Sequence, residues 1–231
     1  MKSLMRMLKR VLLFAIAIIL MYQLWLFGWI LWWKWNPPQS TSFMSIRLAE
    51  LRDKNPRAKL DYQWVAYEKI SSNLKRAVVS AEDDKFMEHD GFDWDNIERA
   101  LKKNQRKGKR VAGGSTISQQ LAKNLFLSPS RSYIRKIQEA VITVMIESLW
   151  SKRRILEVYL NVVEWGNGVF GAEAGARRHF GQSAASLGEY QAARMAVMLP
   201  SPRRFEKSLP AYAREHAESI QQRMHYSEVP R

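Results

Sequence analysis

Cysteine is absent from the 231 residues. That excludes disulfides, thiolate metal sites and a cysteine nucleophile, and it leaves the redox compartment open. Histidine is scarce: His89, His179, His216 and His225 stand far apart, with none of the paired spacings that hold a metal. Acidic residues are the minority charge. Against 22 Asp+Glu stand 37 Lys+Arg, a formal net charge of +15. Such an excess points to an anionic partner: nucleic acid, an acidic lipid surface or a phosphate-bearing substrate. No internal repeat or long low-complexity tract appears, and the length suits one domain plus an appendage.

Charge is also missing from one long stretch. Val11 to Trp33 contains 23 residues without an ionisable group apart from Tyr22, and Gln23 is its main polar interruption. As a helix it is ~35 Å long, enough to cross a hydrocarbon core of ~30 Å. Lys2, Arg6, Lys9 and Arg10 precede it, which places residues 1–10 in the cytoplasm as a basic tail. Trp25, Trp29, Trp32, Trp33 and Trp35 crowd the far end, where indole rings favour the interface. A cleaved signal peptide would have an apolar core of ~7–15 residues and a small-residue cleavage site beyond it. Here the only A-x-A near the apolar run, Ala15 to Ala17, lies inside it, so an uncleaved anchor over 11–33 is expected. Residues 34–42, with Pro37 and Pro38, read as a stiff polar linker. The working domain is then expected over 43–231, on the translocated side of the membrane. Nucleic acid fits the charge but not that topology.

Beyond Phe43 the pattern is mainly helical. Apolar residues recur at three and four through Tyr133–Trp150, Ile155–Val163 and Leu187–Met198. Glycines at 113–114 and 166–171 punctuate these runs, and Pro200 and Pro202 close the last. The basic run from Lys102 to Arg110 reads as a mobile loop suited to anionic headgroups.

Three segments carry side chains with chemical potential. In Glu82–Gly91, a helix would put Glu82, Phe86 and His89 on one face, with Asp83 and Asp84 raising the pKa of Glu82 as suits a general base. In Gly113–Leu127, the pattern Thr116-x-x-Gln119 is a capping box. It puts Thr116, Gln120 and Lys123 on a polar stripe and turns Ile117, Leu121 and Leu125 inward. A helix opening with free N–H groups and a stripe ending in lysine suits phosphate or sugar. In the third segment, Arg135 and Lys136 lie four and three residues before Glu139, whose face continues as Ile142 and Ile146. Glu139 is therefore expected to be partly buried between two cations.

Two short matches fail on context. Gly166–Gly171 fits G-x-G-x-x-G but has no βαβ unit around it. Ser72-Asn-Leu-Lys75 fits S-x-x-K, yet neither S-D-N nor K-T-G occurs, so a penicillin-sensitive serine is excluded.

Taken in order, the segments resemble the peptidoglycan glycosyltransferases of family 51. These comprise the polymerising domain of bifunctional penicillin-binding proteins and its monofunctional, membrane-anchored relatives. The matching stretches are Glu82-Asp-Asp-Lys-Phe86-Met-Glu-His89-Asp-Gly91, Gly113-Gly-Ser-Thr-Ile-Ser-Gln-Gln-Leu-Ala-Lys-Asn-Leu-Phe126 and Arg135-Lys-Ile-Gln-Glu139. They continue with Lys152-Arg-Arg-Ile-Leu-Glu-Val-Tyr-Leu-Asn161 and with Gly166–Gly171 running to His179-Phe-Gly181.

The resemblance implies a mainly α, lysozyme-like domain with a smaller membrane-proximal lobe, preceded by one transmembrane helix. It implies polymerisation of lipid II onto a lipid-linked glycan with inversion, and no transpeptidase activity. Glu82 matches the general base and Glu139 the second carboxylate. Lys123, Arg135 and Lys136 match the diphosphate-holding cations. Ser115, Thr116, Gln119 and Gln120 match the donor groove, with Asp83, Phe86, His89 and Asn124 beside them as substrate contacts. No obligatory cofactor and no resident metal is implied; a divalent cation (Mg, Mn or Ca) is at most stimulatory. The implied partners are lipid II, the lipid-linked chain, membrane lipids, and penicillin-binding proteins or division machinery. A muramidase on the same scaffold and a non-catalytic scaffold protein are the competing readings.

Overall fold

Six helices of the chain start where a short polar side chain satisfies a free N–H, and the computed structural model describes residues 2–108, 113–130 and 132–231. Two units cluster separately, Met1–Asn36 and Pro37–Arg231.

The first unit is helix α1, Lys2–Trp33. The helix begins well upstream of the apolar run, because Leu4 to Arg10 contains good helix formers and neither glycine nor proline. Leu4–Trp33 is long and apolar enough to cross a membrane. Its apolar side chains point outward, with Leu13, Phe14 and Leu24 all more than half exposed. A helix that is apolar all round is stable only when covered, by protein or by lipid.

The second unit holds α2 (Ser42–Lys54), α3 (Ser72–Glu82), α4 (Trp94–Lys107), α5 (Ile117–Phe126), α6 (Tyr133–Leu149) and α7 (Lys152–Val162). It continues with α8 (Ala172–Phe180), α9 (Glu189–Met198), α10 (Pro202–Lys207) and α11 (Ala211–Arg223). Thr41, Ser71, Asp93, Thr116, Ser132 and Ser151 each cap a helix by accepting a backbone N–H three residues on. One small sheet is present, β1 (Asp61–Tyr62), β2 (Glu164–Gly166) and β3 (Val169–Phe170), in the order β1-β3-β2. The rejected glycine-rich match is thus the turn between β2 and β3 and the start of α8. Arg47 of α2 clamps Glu164 of β2 with two bonds of 2.7 and 2.9 Å.

Two cores follow from the apolar stripes. Helix α3 packs on α9 and α11, burying Leu74, Val78, Ala192, Met195 and Ile220. Helix α5 packs on α6 and α7, burying Ile117, Leu121, Ile142, Ile146, Ile155 and Val162. The inward set expected for α5 is the one observed.

Two local expectations fail. The Glu82–His89 segment is not a helix. Helix α3 ends at Glu82, and Asp83 leaves helical geometry at φ −164°, ψ 71°, so the following residues turn back. Lys102, Lys103, Arg106 and Lys107 are not loop residues either, but stand on the last turns of α4. Long basic side chains favour helix, and Gly108 ends it in the left-handed region at φ +60°. Lys109 and Arg110 lie outside the described residues.

Candidate active site

The C-terminal end of α3 presents Glu82 to α5. Its Oε2 accepts a 2.7 Å hydrogen bond from Gln120 Nε2, and Gln120 Oε1 accepts one of 3.0 Å from the Tyr159 hydroxyl. Burial raises the pKa of Glu82, while the Gln120 bond and the Lys123 charge pull it back. Asp83 adds only a smaller upward push. The direction matches the sequence expectation; the main cause is desolvation rather than the acidic neighbours. Asp84 instead accepts from Ser227 Oγ at 3.1 Å.

Asp83 and His89 form a brace. Asp83 Oδ2 accepts the Ile117 N–H at 2.9 Å, which joins the end of α3 to the first turn of α5. Asp83 Oδ1 lies 2.8 Å from His89 Nε2, and His89 Nδ1 accepts the Gly91 N–H at 3.1 Å. With Nδ1 an acceptor, Nε2 is the nitrogen that carries hydrogen toward Asp83. Phe86 is fully buried. In this structure Asp83 and His89 are engaged with each other and with the first turn of α5, Phe86 is packed against His89, and none of the three lines the cleft described below. This placement follows from the turn after Glu82, which takes Phe86 and His89 off the helix face they would have shared with Glu82.

Gly91 locks this turn to α6. Its φ is +93°, and an added Cβ would meet Thr143 Cγ2 at 2.8 Å and Glu147 Cγ at 3.0 Å. Its carbonyl accepts from Thr116 Oγ1 at 2.7 Å. Gly91→Ala should cost about 2–4 kcal/mol from backbone strain and overpacking, seen as a lower Tm; an unchanged Tm would show that the turn relaxes freely.

Helix α5 supplies the floor. The capping box is present, with Thr116 N–H donating to Gln119 Oε1 at 3.1 Å and Gln119 N–H to Thr116 Oγ1 at 3.2 Å. Both residues are buried, as is Asn124, whose Nδ2 donates 2.8 Å to the Gln120 carbonyl. Asn124 thus braces α5 rather than facing the groove, and Thr116 is spent on capping. Lys123 stands 5.6 Å from the Phe43 ring centroid, and burial lowers its pKa. It feels both Glu82 and Glu139, as well as Arg135 and Lys136.

Helix α6 supplies the wall. Glu139 is only 3% exposed and takes Arg135 Nη1 at 2.6 Å and Lys136 Nζ at 2.5 Å. The burial and pairing expected from its spacing are both present. Lys136 Nζ also reaches Ser115 Oγ at 3.2 Å, and Arg135 Nε is buried without an acceptor among the described residues. Ser115, Gln119, Gln120, Lys123, Arg135, Lys136 and Glu139 line one cleft of about 620 Å³. Three cations thus converge on a single cavity with one buried carboxylate between them. Among the described residues, no three Asp, Glu or His side chains gather as metal ligands.

Sequence reasoning gave no role to Tyr159, Glu147 or Lys152. Glu147 accepts from Ser118 Oγ at 2.5 Å and Lys152 Nζ at 2.8 Å, and the same ammonium donates to the His89 carbonyl. The available signal was polar groups interrupting otherwise apolar faces, as Tyr159 does between Ile155 and Val162.

Comparison with known proteins shows the family of the chain. Residues 49–225 match the transglycosylase family. A protein of Azoarcus sp. (strain BH72) named biosynthetic peptidoglycan transglycosylase is 64% identical over 230 residues, covering 100% of both chains. Proteins of the same name from Aromatoleum aromaticum and Herminiimonas arsenicoxydans are 62% and 54% identical, again over 100% of both chains. With a family match over most of its length and relatives aligned end to end, this chain belongs to the transglycosylase family.

Proposed function

We propose that this protein is a monofunctional peptidoglycan glycosyltransferase, which transfers a lipid-linked glycan chain onto the 4-hydroxyl of lipid II. The observation that carries this reading is a carboxylate with raised pKa, Glu82, beside a cleft holding three cations. Glu82 takes the proton from the acceptor hydroxyl as that oxygen attacks C1 of the donor. The C1–O bond to diphosphate breaks, the leaving group keeps the electron pair, and inversion gives a β-1,4 bond. Diphosphate leaves more readily than a sugar hydroxyl, so the chemistry needs a base and a fixed set of cations more than a strong acid. Lys123, Arg135 and Lys136 supply those cations, and Glu139 holds the last two in place. Ser115, Gln119 and Gln120 border the donor. A divalent cation acts as a stimulatory counter-ion to diphosphate, not as an obligatory cofactor.

The substrates and the fold suggest a location. Helix α1 anchors the chain in the bacterial inner membrane, with the N-terminus in the cytoplasm and residues 43–231 outside it. Tyr133, Ile134 and Ile137 of α6 are 92%, 82% and 67% exposed, a surface suited to membrane lipids. Tyr133 also lines the cleft, so a substrate with its lipid in the bilayer would meet both surfaces. Penicillin-binding proteins or division proteins are natural partners, because they use the glycan strands that are made.

The test is substrate choice. Purified protein should convert labelled lipid II into long glycan and leave isolated cell wall intact. Solubilised wall without lipid II turnover would overturn the reading in favour of a muramidase.

A further inference from the structure

The mechanism above uses Glu82 and Gln120 but leaves unexplained a buried hydroxyl behind them. Tyr159 projects from α7 and is 1% exposed, and its hydroxyl lies 3.0 Å from Gln120 Oε1. The Gln120 Nε2 on the other side of the same amide lies 2.7 Å from Glu82 Oε2. An amide has one acceptor end and one donor end. With the phenol donating to Oε1, the NH2 group is the end turned toward the carboxylate. If the amide flipped, its oxygen would face the Glu82 carboxylate and the bond to the ionised base would be lost, while the phenol would give up its role as donor to Gln120.

We propose that Tyr159 is a positioning residue for the transferase reaction, fixing the Gln120 amide so that it keeps an N–H on Glu82. The proposal rests on the reading of Glu82 as general base. Burial and the nearby carboxylates Glu82 and Asp83 push the pKa of Tyr159 well up, so the phenol stays a donor throughout the working range. The charged and polar groups facing Glu82 are Asp83 at the end of its own helix, Lys123 and Gln120 from α5, and Tyr159 from α7. Helices α9 and α11 and the short turn Met224–Tyr226, which also pack on α3, add no charged group that acts on Glu82 among the described residues. Burial favours the protonated form of Glu82 and the Gln120 bond favours the ionised form, so an anchored Gln120 keeps the base deprotonated to lower pH. Tyr159 thus acts on the base without touching substrate.

The test is the pH dependence of kcat/KM for lipid II polymerisation between about pH 5 and 9. In Tyr159→Phe the acid limb should move up by about half to one unit, the size expected when one hydrogen bond to a charged group weakens. Activity on that limb then falls ~3–10-fold, more than it falls on the alkaline plateau. Gln120→Ala should move the limb by a similar amount, and adding Tyr159→Phe to it should move it no further. A uniform loss at all pH values, or additive shifts in the double variant, would overturn the proposal. Should Tyr159→Phe fail to fold, Gln120→Ala alone decides: an unmoved limb sinks the relay. Glu82→Gln separates the two levels. An active Glu82→Gln enzyme defeats the base assignment itself, whereas an inactive one with an unmoved Tyr159→Phe limb defeats only the relay.

Discussion

Glu82→Gln should reduce polymerisation at least ~10³-fold, in the upper part of the range for losing a general base, while the protein melts no lower than its parent at neutral pH. The two halves of this expectation share one cause. Gln keeps a side-chain oxygen for Gln120 Nε2, so the local bond survives, but an amide cannot take the acceptor proton. Burial raises the folded-state pKa of Glu82 above its usual value. For a carboxyl raised in this way, the folded state binds more protons than the unfolded state between the two pKa values, so stability falls as pH rises through that window. At neutral pH the buried charge is therefore a cost that Gln removes. The stability gap between variant and parent should narrow as pH drops below the ordinary carboxylate range, because both then carry a neutral side chain. Melting curves at neutral and acidic pH, beside a lipid II assay, measure both. A variant that loses activity and also unfolds earlier at neutral pH would make Glu82 a structural group.

The same raised pKa sets the direction of the rate profile. A base works when deprotonated, so kcat/KM should climb with pH through the folded-state pKa, above where a solvent-exposed glutamate would place it.

Much of this site is written in local spacing. The i, i+3 and i, i+4 relations that put Arg135 and Lys136 beside Glu139 are helical geometry, and the apolar continuation through Ile142 and Ile146 predicts the burial. The capping box at Thr116 likewise needs only residues 116–119. The course of the Glu82–Gly91 segment departs from the helical expectation because it depends on tertiary partners. Asp83 gives up helical geometry to hold the Ile117 N–H and His89, contacts 34 and 6 residues away along the chain. A helical period can be imposed on those ten residues, but no local rule reveals that Asp83 has a better use elsewhere. The basic run departs from expectation for the opposite reason. Its charges suggested a solvated loop, yet lysine and arginine are strong helix formers, and α4 continues until Gly108. Tyr159 and Glu147 were silent because each acts across helices: a phenol on α7 serves an amide on α5, and a carboxylate on α6 joins Ser118 to Lys152.

Lys123→Ala should lower kcat/KM ~10²–10³-fold, the loss typical of removing one group from a preorganised electrostatic site, while changing Tm by no more than a few degrees. Its environment explains why function and stability separate. Desolvation lowers its pKa first, so the folded protein bears a cost for keeping that ammonium partly out of water. Glu139 and Glu82 attract it while Arg135 and Lys136 repel it, so attraction and repulsion act on the same charge. Glu139 keeps both of its short bonds, to Arg135 and Lys136, when Lys123 is gone. No buried carboxylate is stranded, which is the usual reason that deleting one partner of an ion pair is so costly. What disappears is a cation placed between the proton-accepting and the cation-holding carboxylates. A donor diphosphate entering the cleft would bring the negative charge that this arrangement lacks, and that charge grows as the C1–O bond breaks. The loss should therefore appear in kcat as well as KM, and inorganic pyrophosphate should inhibit the variant more weakly than the parent. Equal sensitivity to pyrophosphate, or a fall in Tm proportionate to the fall in activity, would place Lys123 in the scaffold rather than on the diphosphate.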